Sequence, residues 1–475
     1  MRRQILGLAL AAALVGCAGG TQTRTSETVT TTPSTTTGTA ASADRRSSPF
    51  RTTELANGLD VIVIEDHSSP IATIDLTVNT GAFTEPDEYA GLSHLYEHMF
   101  FKANRAYPSQ EAYMRRVREL GVVYNGYTSQ EVVTYYFTLP SKNVKPGLEF
   151  MAHAITTPLF VQDELVRERE VVLGEFDRNE ASPEFALRYA LDSALWMPHV
   201  SRKQPLGQRQ VIQTATTEQM EFIRGRYYVP NNAALIVSGD VDADEVFALA
   251  AKFFAGWQRG ADPFPTHNPP AFTSLRPQLV VREARIPDVL LRLRFYGPSI
   301  GRDEPDVQVS QLFSTLLSQP TSRFHHNLVD SGLVTQIGAW AENARFTGTI
   351  NFTLRTKPEL AHRTLEVLKA EIRAMGQPGY FSDDEIAVGK QIIADRSKFE
   401  RDNIHDFTIG TTARWWAMAS LDYYERFPSV VAGINPRQID DFVRKYLVGR
   451  PFVLGVGAQR ETLTRLNITE EALKW

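Results

Sequence analysis

The chain has 475 residues, a formal net charge of −5 and a single cysteine. This length exceeds that of one ordinary hydrophobic core and predicts two domains of about 200 residues each. Hydrophobic residues make up 43% of the chain and charged residues 22%, which is typical of a globular protein and excludes a largely disordered one. The small net charge provides no basic field, so we expect no nucleic-acid partner.

The N-terminus has the pattern of a secretion signal. Arg2 and Arg3 precede an apolar run, residues 5–15, that matches the hydrophobic region of a signal peptide and is too short to cross a bilayer. The run ends in Leu-Val-Gly-Cys, which resembles the bacterial lipobox, and Cys17 would then be the lipidated first residue of the mature protein. The alternative is a plain signal peptide followed by a chance cysteine. We predict a lipoprotein signal peptide over residues 1–17 and a membrane anchor at Cys17.

A tether, two domains and a linker follow in chain order. Residues 18–48 are mostly threonine and serine, cannot bury enough apolar surface to fold, and predict a disordered tether. Residues 261–272 hold four prolines. Because prolines disfavour regular structure, we place a linker at 261–275 between domains at 49–260 and 276–475.

Predicted elements of the first domain alternate between strands and helices. Asn57-Gly58 predicts a hairpin turn between strands at Phe50–Ala56 and Leu59–Glu65. The segment Ala72–Asn79 alternates apolar and polar residues, as a half-buried strand does. Further strands are predicted at Val132–Leu139 and Ala233–Val237, and helices at Gly91–Phe100, Ser109–Leu120, Pro146–Ile155 and Asp163–Trp196, the last bent or broken at Pro183.

The second half of the sequence repeats features of the first. Residues 136–142 resemble residues 351–357, and residues 219–239 resemble residues 438–457 at a similar separation. A near-constant separation indicates an internal duplication, the alternative being chance similarity of secondary-structure pattern. We therefore predict the α+β class, with two duplicated domains that each contain a mostly antiparallel sheet packed with helices.

One motif carries recognisable metal chemistry. His94-Leu95-Tyr96-Glu97-His98 lies on the predicted helix, where residues four apart share a face, so both imidazoles can point at one ion. Glu97 lies on that face too and can stand beside a metal without binding it. H-x-x-E-H is an inverted form of the zinc-protease signature. The alternative is a pair of solvated or core histidines.

Catalytic zinc takes three protein ligands, so a third ligand is required. The acidic segment Glu164–Glu180 offers Glu168 and Glu175, which are two helical turns apart on nearly the same face. The alternative for this segment is a charged face in solvent, and we adopt that interpretation for Glu170, Asp177 and Glu180.

In combination, these motifs resemble those of the pitrilysin/insulinase family of zinc metallopeptidases. Asn125-Gly126-Tyr127-Thr128 resembles the family's Asn-Ala-Phe-Thr strand, and Pro205-Leu206-Gly207 resembles another family landmark. The resemblance implies a pitrilysin-like fold and one zinc ion per chain. It gives the roles of metal ligands to His94, His98 and Glu175, of general base to Glu97, of supporting carboxylate at the catalytic site to Glu168, and of peptide binding by strand pairing to Asn125, Gly126, Tyr127 and Thr128.

The second domain departs from this pattern. Residues 309–315 match the HxxEH helix but contain neither His nor Glu, and Asn351 stands where active relatives have an Arg beside the zinc. We also find no tyrosine suited to assist it just after Lys357. The resemblance therefore implies a homologous partner subunit that supplies an Arg and a Tyr, as a heterodimer first and a homodimer second. His325-His326 and Trp415-Trp416 are interpreted as packing, surface or interface residues.

These inferences predict a zinc endopeptidase that cleaves unfolded or extended peptides in the cell envelope. The residue that follows Cys17 is Ala18, so the Asp that acts as a retention signal at this position is missing. By resemblance, this favours the periplasmic face of the outer membrane. Two alternatives remain at this point. One is a non-catalytic scaffold or assembly subunit on the same fold, and the other is a zinc hydrolase that acts on something other than peptides.

Overall fold

Two β-sheets, one from each half of the chain, organise the fold. The computed structural model describes residues 48–198, 204–264 and 274–475. The first sheet has the order β1-β2-β6-β3-β5-β4 and is antiparallel except for the parallel pair β2/β6. Its strands are β1 (Arg51–Glu54), β2 (Asp60–Glu65), β3 (Ile71–Val78), β4 (Val123–Thr128), β5 (Val133–Pro140) and β6 (Ala233–Gly239).

The second sheet repeats this design with one strand fewer. Its order is β7-β11-β8-β10-β9, and only the pair β7/β11 is parallel. Its strands are β7 (Gln278–Glu283), β8 (Val289–Gly297), β9 (Gln336–Glu342), β10 (Gly348–Thr356) and β11 (Val453–Ala458). The prediction of two mostly antiparallel sheets packed with helices is confirmed.

Helices cover the sheets in both halves. The first half contains α1 (Leu92–Phe100), α2 (Gln110–Leu120), α3 (Val144–Thr156), α4 (Gln162–Glu180), α5 (Phe185–Trp196), α6 (Arg209–Thr214), α7 (Thr217–Tyr227) and α8 (Ala243–Phe253). The second half contains α9 (Asp306–Leu317), α10 (Arg323–His325), α11 (Ala361–Met375), α12 (Asp383–Phe399), α13 (Ile404–Asp406), α14 (Ala413–Met418), α15 (Leu421–Ala432), α16 (Pro436–Tyr446) and α17 (Arg460–Leu466). Short π-helical segments occupy His326–Asp330 and Phe407–Thr412.

Local signals place the element boundaries near their predicted positions. Gly58 adopts a φ of 89° in the hairpin between β1 and β2, a conformation that favours glycine. Ser109 accepts a hydrogen bond from the Ala112 amide and caps α2, which ends at Gly121 with a φ of 63°. The predicted helix at 163–196 divides into α4 and α5 around Pro183.

Strand β3 differs from its prediction as a half-buried strand. Its polar residues Thr73, Asp75 and Thr77 are buried together with its apolar ones. The opposite face of the first sheet is covered by the segment Ile404–Met418 from the second half, in which His405 Nδ1 lies 3.1 Å from the Thr73 hydroxyl. Alternation reports one apolar face but does not reveal that a distant segment covers the polar face.

The two halves exchange helical segments. While residues 404–418 pack on the first sheet, α5 packs on β7 and β11 of the second sheet. Leu187 and Leu191 approach Gly457 and Gly455 closely, and a Cβ atom at either glycine would lie within 2.9 Å of leucine side-chain carbons. Ion pairs add to this contact, since Glu184 pairs with Arg292 and with Arg355. Residues 48–475 accordingly form one compact unit.

Several predicted segments lie outside the described residues. These are the signal peptide with Cys17, the tether up to residue 47, and residues 265–273 of the predicted linker. The predicted domain boundaries stay predictions, with the two sheets on either side of them. Among residues 48–198, 204–264 and 274–475, every helix is too short or too polar to cross a bilayer.

Candidate metal centre

Helix α1 forms the floor of the site and is fixed by its apolar side. Leu92, Leu95, Tyr96, Met99 and Phe100 are completely buried in the first core. Helical geometry turns the intervening positions to the opposite side, where His94, Glu97 and His98 face α4 and β4. The sequence thus places the two imidazoles and the Glu97 carboxylate together because the positions between them are apolar.

The structure brings His94, His98 and Glu175 together. The distance from His94 Nε2 to Glu175 Oε2 is 3.5 Å, and that from His98 Nε2 to Glu175 Oε1 is 4.0 Å. One ligand atom from each residue lies within 4.8 Å of the others, the only such group of three among the described residues. Helix α4 supplies Glu175 from two turns beyond Glu168, as the spacing predicts.

Glu168 lies behind His98. Its Oε2 atom is 3.0 Å from His98 Nδ1, and its Oε1 atom is 2.6 Å from Lys102 Nζ. A carboxylate can only accept, so Nδ1 of His98 carries a proton whether the ring is charged or neutral, and Nε2 is the atom that would bind a metal when the ring is neutral. Burial alone would raise the pKa of Glu168, but the hydrogen bonds from His98 and Lys102 lower it overall. Glu168 is therefore ionised and orients His98.

His94 is held in its neutral form. Burial, and then the nearby charge on His98, lower the pKa of His94 to about 3. Its Nδ1 atom is buried and has no hydrogen-bond partner in the part of the chain that the structure describes. A neutral imidazole is the form that binds a metal.

Glu97 stands beside His94, His98 and Glu175 without joining their group. Its Oε2 atom accepts a hydrogen bond of 2.8 Å from the Thr128 hydroxyl. Burial raises the pKa of Glu97, while that hydrogen bond opposes the rise. A carboxylate with a raised pKa in a partly closed site is suited to accept and return a proton near neutral pH.

The predicted peptide-binding residues lie on β4, an edge strand that pairs only with β5 among the described strands. Thr128 and Gly126 face the site; a Cβ atom at position 126 would lie 3.1 Å from Glu97 Cγ. Tyr127 points to the other face, where its hydroxyl donates to the carbonyl oxygen of Ile409. Asn125 is exposed. The free edge of β4 thus passes directly beside Glu97.

Glu85 is a site residue that the sequence did not reveal. It is 1% exposed, and its two oxygens accept hydrogen bonds from the backbone amides of Gly91 and Ser93 at the start of α1. A carboxylate at a helix N-terminus satisfies free amide groups and interacts favourably with the helix dipole. Burial raises the pKa of Glu85 to about 7, although these hydrogen bonds lower it. Its contacts lie six and eight residues ahead, so no local pattern marks it as a cap.

The loop at residues 205–207 explains why a glycine precedes α1. Gly91 has a φ of 99°, and a Cβ atom there would lie 2.4 Å from the Leu206 carbonyl oxygen. Gly207 makes the reciprocal approach, because its Cβ atom would lie 2.1 Å from the Ala90 carbonyl oxygen. The two glycines let the loop clamp the N-terminus of the helix that carries His94.

The donor set fits zinc. Atoms about 2.1 Å from a tetrahedral ion stand roughly 3.4 Å from one another. The separations of 3.5 and 4.0 Å in the site therefore need little adjustment. Two imidazoles and one carboxylate are also a common ligand set for catalytic zinc, with a fourth position left open.

Other residues singled out in the sequence lie outside this site. Asn351 is buried on β10 and donates to the Thr349 hydroxyl. His325 and His326 both approach Asp330. Trp416 donates its indole N–H to Asp60 Oδ2 at 2.7 Å, so it belongs to the interface between the two halves.

Comparison with known proteins identifies both halves. Residues 60–206 match the insulinase (peptidase family M16) model, and residues 214–393 match the model of the peptidase M16 inactive domain. The chain is 30% identical over 226 residues to human insulin-degrading enzyme, covering 46% of this chain and 22% of that protein. It is 28% identical over 202 residues to the zinc protease PqqE of Helicobacter pylori, covering 42% of this chain and 45% of that protein.

A third relative is similar to the chain in sequence, and two solved structures are similar to it in fold. A probable mitochondrial-processing peptidase subunit beta of Arabidopsis thaliana is 26% identical over 272 residues, covering 56% of this chain and 50% of that protein. The crystal structure of a Helicobacter pylori protease shares the fold with a TM-score of 0.75 at 20% identity, covering 86% of this chain and 99% of that one. The periplasmic protease PqqL of Escherichia coli gives a TM-score of 0.73 at 18% identity, covering 91% of this chain but 50% of that one.

The chain thus spans half or less of these three curated relatives. The H-x-x-E-H helix lies within the segment that matches the insulinase model, and the inactive-domain model matches residues 214–393, which include β6 of the first sheet and β7 to β10 of the second. This chain belongs to the insulinase/pitrilysin family of peptidases, family M16, and has the zinc-protease fold of that family.

Proposed function

We propose that this chain is a zinc-dependent endopeptidase that cleaves unfolded or extended peptides. The observation that carries the proposal is the convergence of His94, His98 and Glu175. Glu97 lies beside this group, and its carboxylate accepts a hydrogen bond from Thr128. When bound there, zinc supplies Lewis acidity that acidifies water and polarises a carbonyl group.

The protein groups perform the proton transfers. Glu97 takes the proton from the attacking water as the water oxygen bonds to the scissile carbonyl carbon. When the C–N bond breaks, the same carboxyl group gives that proton to the leaving amine. Its raised pKa favours both directions of transfer, and Thr128 fixes one carboxylate oxygen so that the other can face the substrate.

The edge of β4 supports the choice of substrate class. An edge strand offers unpaired backbone N–H and C=O groups, and an extended peptide can add to it as a further strand. Such pairing reads the backbone more than the side chains. We therefore expect selection for unfolded segments, with Asn125, Gly126 and Thr128 beside the bound peptide.

We also propose that the active assembly contains a homologous partner. Asn351 stands where the resemblance calls for an Arg, and its side chain is buried against Thr349. The chain matches half of PqqL in structure, and part of it matches half of a protein named as one subunit of a processing peptidase. A partner subunit that brings an Arg and a Tyr, first as a heterodimer and second as a homodimer, would complete the site.

The predicted location is a separate proposal. We propose that Cys17 anchors the protein by a lipid in the cell envelope, on the periplasmic face of the outer membrane. One protein with a similar fold is named a periplasmic protease. Metabolic labelling with a fatty acid should mark the wild type and not Cys17→Ser, and fractionation should then find the variant released from membranes.

The decisive experiment is cleavage of an unstructured fluorogenic peptide library by the purified protein, with and without a chelator. Glu97→Gln should keep its zinc and lose about a thousandfold in turnover, because a proton acceptor is removed. Glu170→Gln, an exposed change on α4, is the control and should be fully active.

Each outcome separates the candidate functions. Equal cleavage by wild type and Glu97→Gln would overturn the assignment of Glu97. Zinc-loaded, folded protein without activity would call for the partner subunit to be added. If activity were still absent, the non-catalytic scaffold would become the better description.

A further inference from the structure

The second half contains a cavity at the position that corresponds to the zinc site of the first half. Its volume is about 230 Å³. It lies between α9, α12 and residues 410–428, and we call it the twin cavity.

The correspondence between α1 and α9 follows from their buried faces. Apolar residues that bury the two helices recur in the same order and at the same spacing. They are Leu92, Leu95, Tyr96, Met99 and Phe100 in α1, and Val309, Leu312, Phe313, Leu316 and Leu317 in α9. Equal spacing on the buried side fixes the rotation of each helix over its sheet. Gln311 therefore stands at the position of His94, and Thr315 at that of His98.

The same comparison relates α4 to α12. The buried positions are Leu165, Glu168 and Val172 in the first helix, and Ile386, Gly389 and Ile393 in the second. Gly389 thus replaces the carboxylate of Glu168, and Arg396 stands at the position of Glu175. All three zinc ligands have counterparts, and every counterpart lines the twin cavity.

The twin cavity carries hydrogen-bond donors and positive charge at the positions where the first half carries groups that bind a cation. Gln311, Thr315 and Arg396 offer an amide, a hydroxyl and a guanidinium group in place of two imidazoles and a carboxylate. Arg414, from the exchanged segment, adds a second guanidinium group to the lining. The Thr315 hydroxyl donates to the Gln311 carbonyl oxygen at 2.9 Å, so the donors offered to a ligand are the N–H groups of Gln311, Arg396 and Arg414. Such N–H donors suit an anion, and guanidinium groups bind carboxylates well.

One carboxylate also lines the cavity. Burial raises the pKa of Glu400, while the Tyr424 hydroxyl and then the charges of Arg396 and Arg414 lower it. Two guanidinium groups and one carboxyl group line the cavity, so the lining keeps a net positive charge even when Glu400 is ionised.

Part of the remaining lining is apolar and the space is small. Ile393, Trp415, Phe427 and Pro428 line the cavity beside the charged groups. Its volume of about 230 Å³ is below the roughly 300–1,000 Å³ of sites for drug-sized ligands. The ligand is therefore one residue-sized group that carries a carboxylate next to an apolar part.

A second cavity connects this site with the proposed peptide strand. It has a volume of about 400 Å³ and shares Asn343, Gly410 and Arg414 with the twin cavity. It is also lined by Tyr127 and Ser129, at the end of β4. A peptide that lies along β4 can therefore reach the twin cavity past Arg414.

We propose that the twin cavity binds the carboxylate end of the peptide substrate and anchors it while another part lies along β4. This inference rests on the proposed function, because it takes the substrate to be an extended peptide. It gives the catalytically inactive half a role in binding. Free peptides with a terminal carboxylate become preferred substrates over internal segments of long chains.

The test compares two decapeptides of uncharged residues, one ending in a free carboxylate and the other in an amide. Binding to the full-length Glu97→Gln protein is measured by fluorescence anisotropy at low salt, where neither peptide is cut. The free acid should bind about tenfold more tightly, as expected for charge-assisted hydrogen bonds. The double variant Arg396→Gln/Arg414→Gln should lose that preference and keep the affinity for the amide.

Two controls locate the effect. Arg437→Gln, an exposed change on α16, should keep the preference for the acid. An amidated peptide with one internal Glu distinguishes a side-chain carboxylate from a terminal one. If this peptide matched the free acid, the cavity would recognise any carboxylate and the terminal assignment would be wrong.

A separate measurement keeps the site testable without peptidase activity. N-acetyl-leucine and its amide are compared by saturation-transfer NMR on the wild-type chain. Acid-selective binding that Arg396→Gln/Arg414→Gln abolishes would support the cavity even if no peptide were cleaved. Equal binding of acid and amide, or a preference that persists in the double variant, would overturn the anchor and leave the proposed peptidase intact.

Discussion

Helices α1 and α9 show how one framework carries two chemistries. Their buried apolar residues match in order and spacing, whereas the residues between these positions differ. The positions of His94 and His98 in the first half are occupied by Gln311 and Thr315 in the second. Core positions determine how a helix packs on its sheet, and the few positions that point away from the core are free to change. The two halves therefore share one framework, while the candidate metal ligands His94, His98 and Glu175 lie in the first half.

The supporting residues differ as well. In the first half, Glu168 orients His98 and Glu85 caps α1, so two buried carboxylates hold the site in place. In the second half, Gly389 occupies the position of Glu168, and a Cβ atom there would lie 2.9 Å from Leu316 Cδ2 and 3.1 Å from Leu312 Cδ1. A helix without metal ligands has no imidazole to orient, so apolar packing replaces the carboxylate.

The largest predicted effect comes from replacing the two histidines of the first half by the residues at the equivalent positions of the second half. His94→Gln combined with His98→Thr removes two of three ligands and should weaken zinc binding by at least about a thousandfold. Zinc competition with a chromophoric chelator measures the loss, and His326→Gln, on an exposed histidine, is the control. Zinc retained at one ion per chain would show that the metal binds elsewhere.

A smaller effect concerns Glu85 and pH. Its pKa in the folded protein is about 7, above the ordinary value of 4.5, so protonation favours the folded state. The associated stability is full below pH 4.5 and is lost as the pH rises through about 7. This shift corresponds to about 3 kcal/mol.

Urea unfolding of metal-free protein from pH 5 to pH 8 measures this contribution. The unfolding free energy of the wild type should fall more steeply with pH than that of Glu85→Gln. Glu88→Gln, on an exposed carboxylate of the same loop, should follow the wild type. Parallel curves for wild type and Glu85→Gln would remove Glu85 as the titrating group.

The smallest predicted effect sharpens the contrast between Glu168 and Gly389. Glu168→Gln keeps an acceptor near His98 Nδ1 but removes the negative charge that also pairs with Lys102. Zinc affinity should fall about 10- to 100-fold, as for other groups that orient metal ligands. Glu170→Gln provides the comparison on the same helix, and an unchanged affinity in Glu168→Gln would assign Glu168 to packing alone.

Much of the candidate zinc site was predictable from the sequence because its residues follow helical spacing. The interval between His94 and His98 and the two turns from Glu168 to Glu175 are local, so period and residue type predicted which groups converge. Glu85 was missed because its partners become neighbours only after the chain folds back. Strand β3 was predicted to be half-buried from its alternating residues. That prediction was wrong because the segment that covers its polar face, around His405, comes from the other half.

The sequence by itself determined the two duplicated α+β domains, the HxxEH helix and the family, since periodicity and motif spacing are properties of neighbouring residues. Tertiary structure decided which surfaces are covered and which positions correspond. The exchange of α5 for residues 404–418 buries polar residues of β3, and it brings Arg414 to Arg396 beside a cavity. Contacts between residues so far apart depend on how whole elements pack, and that information is not contained in any local pattern.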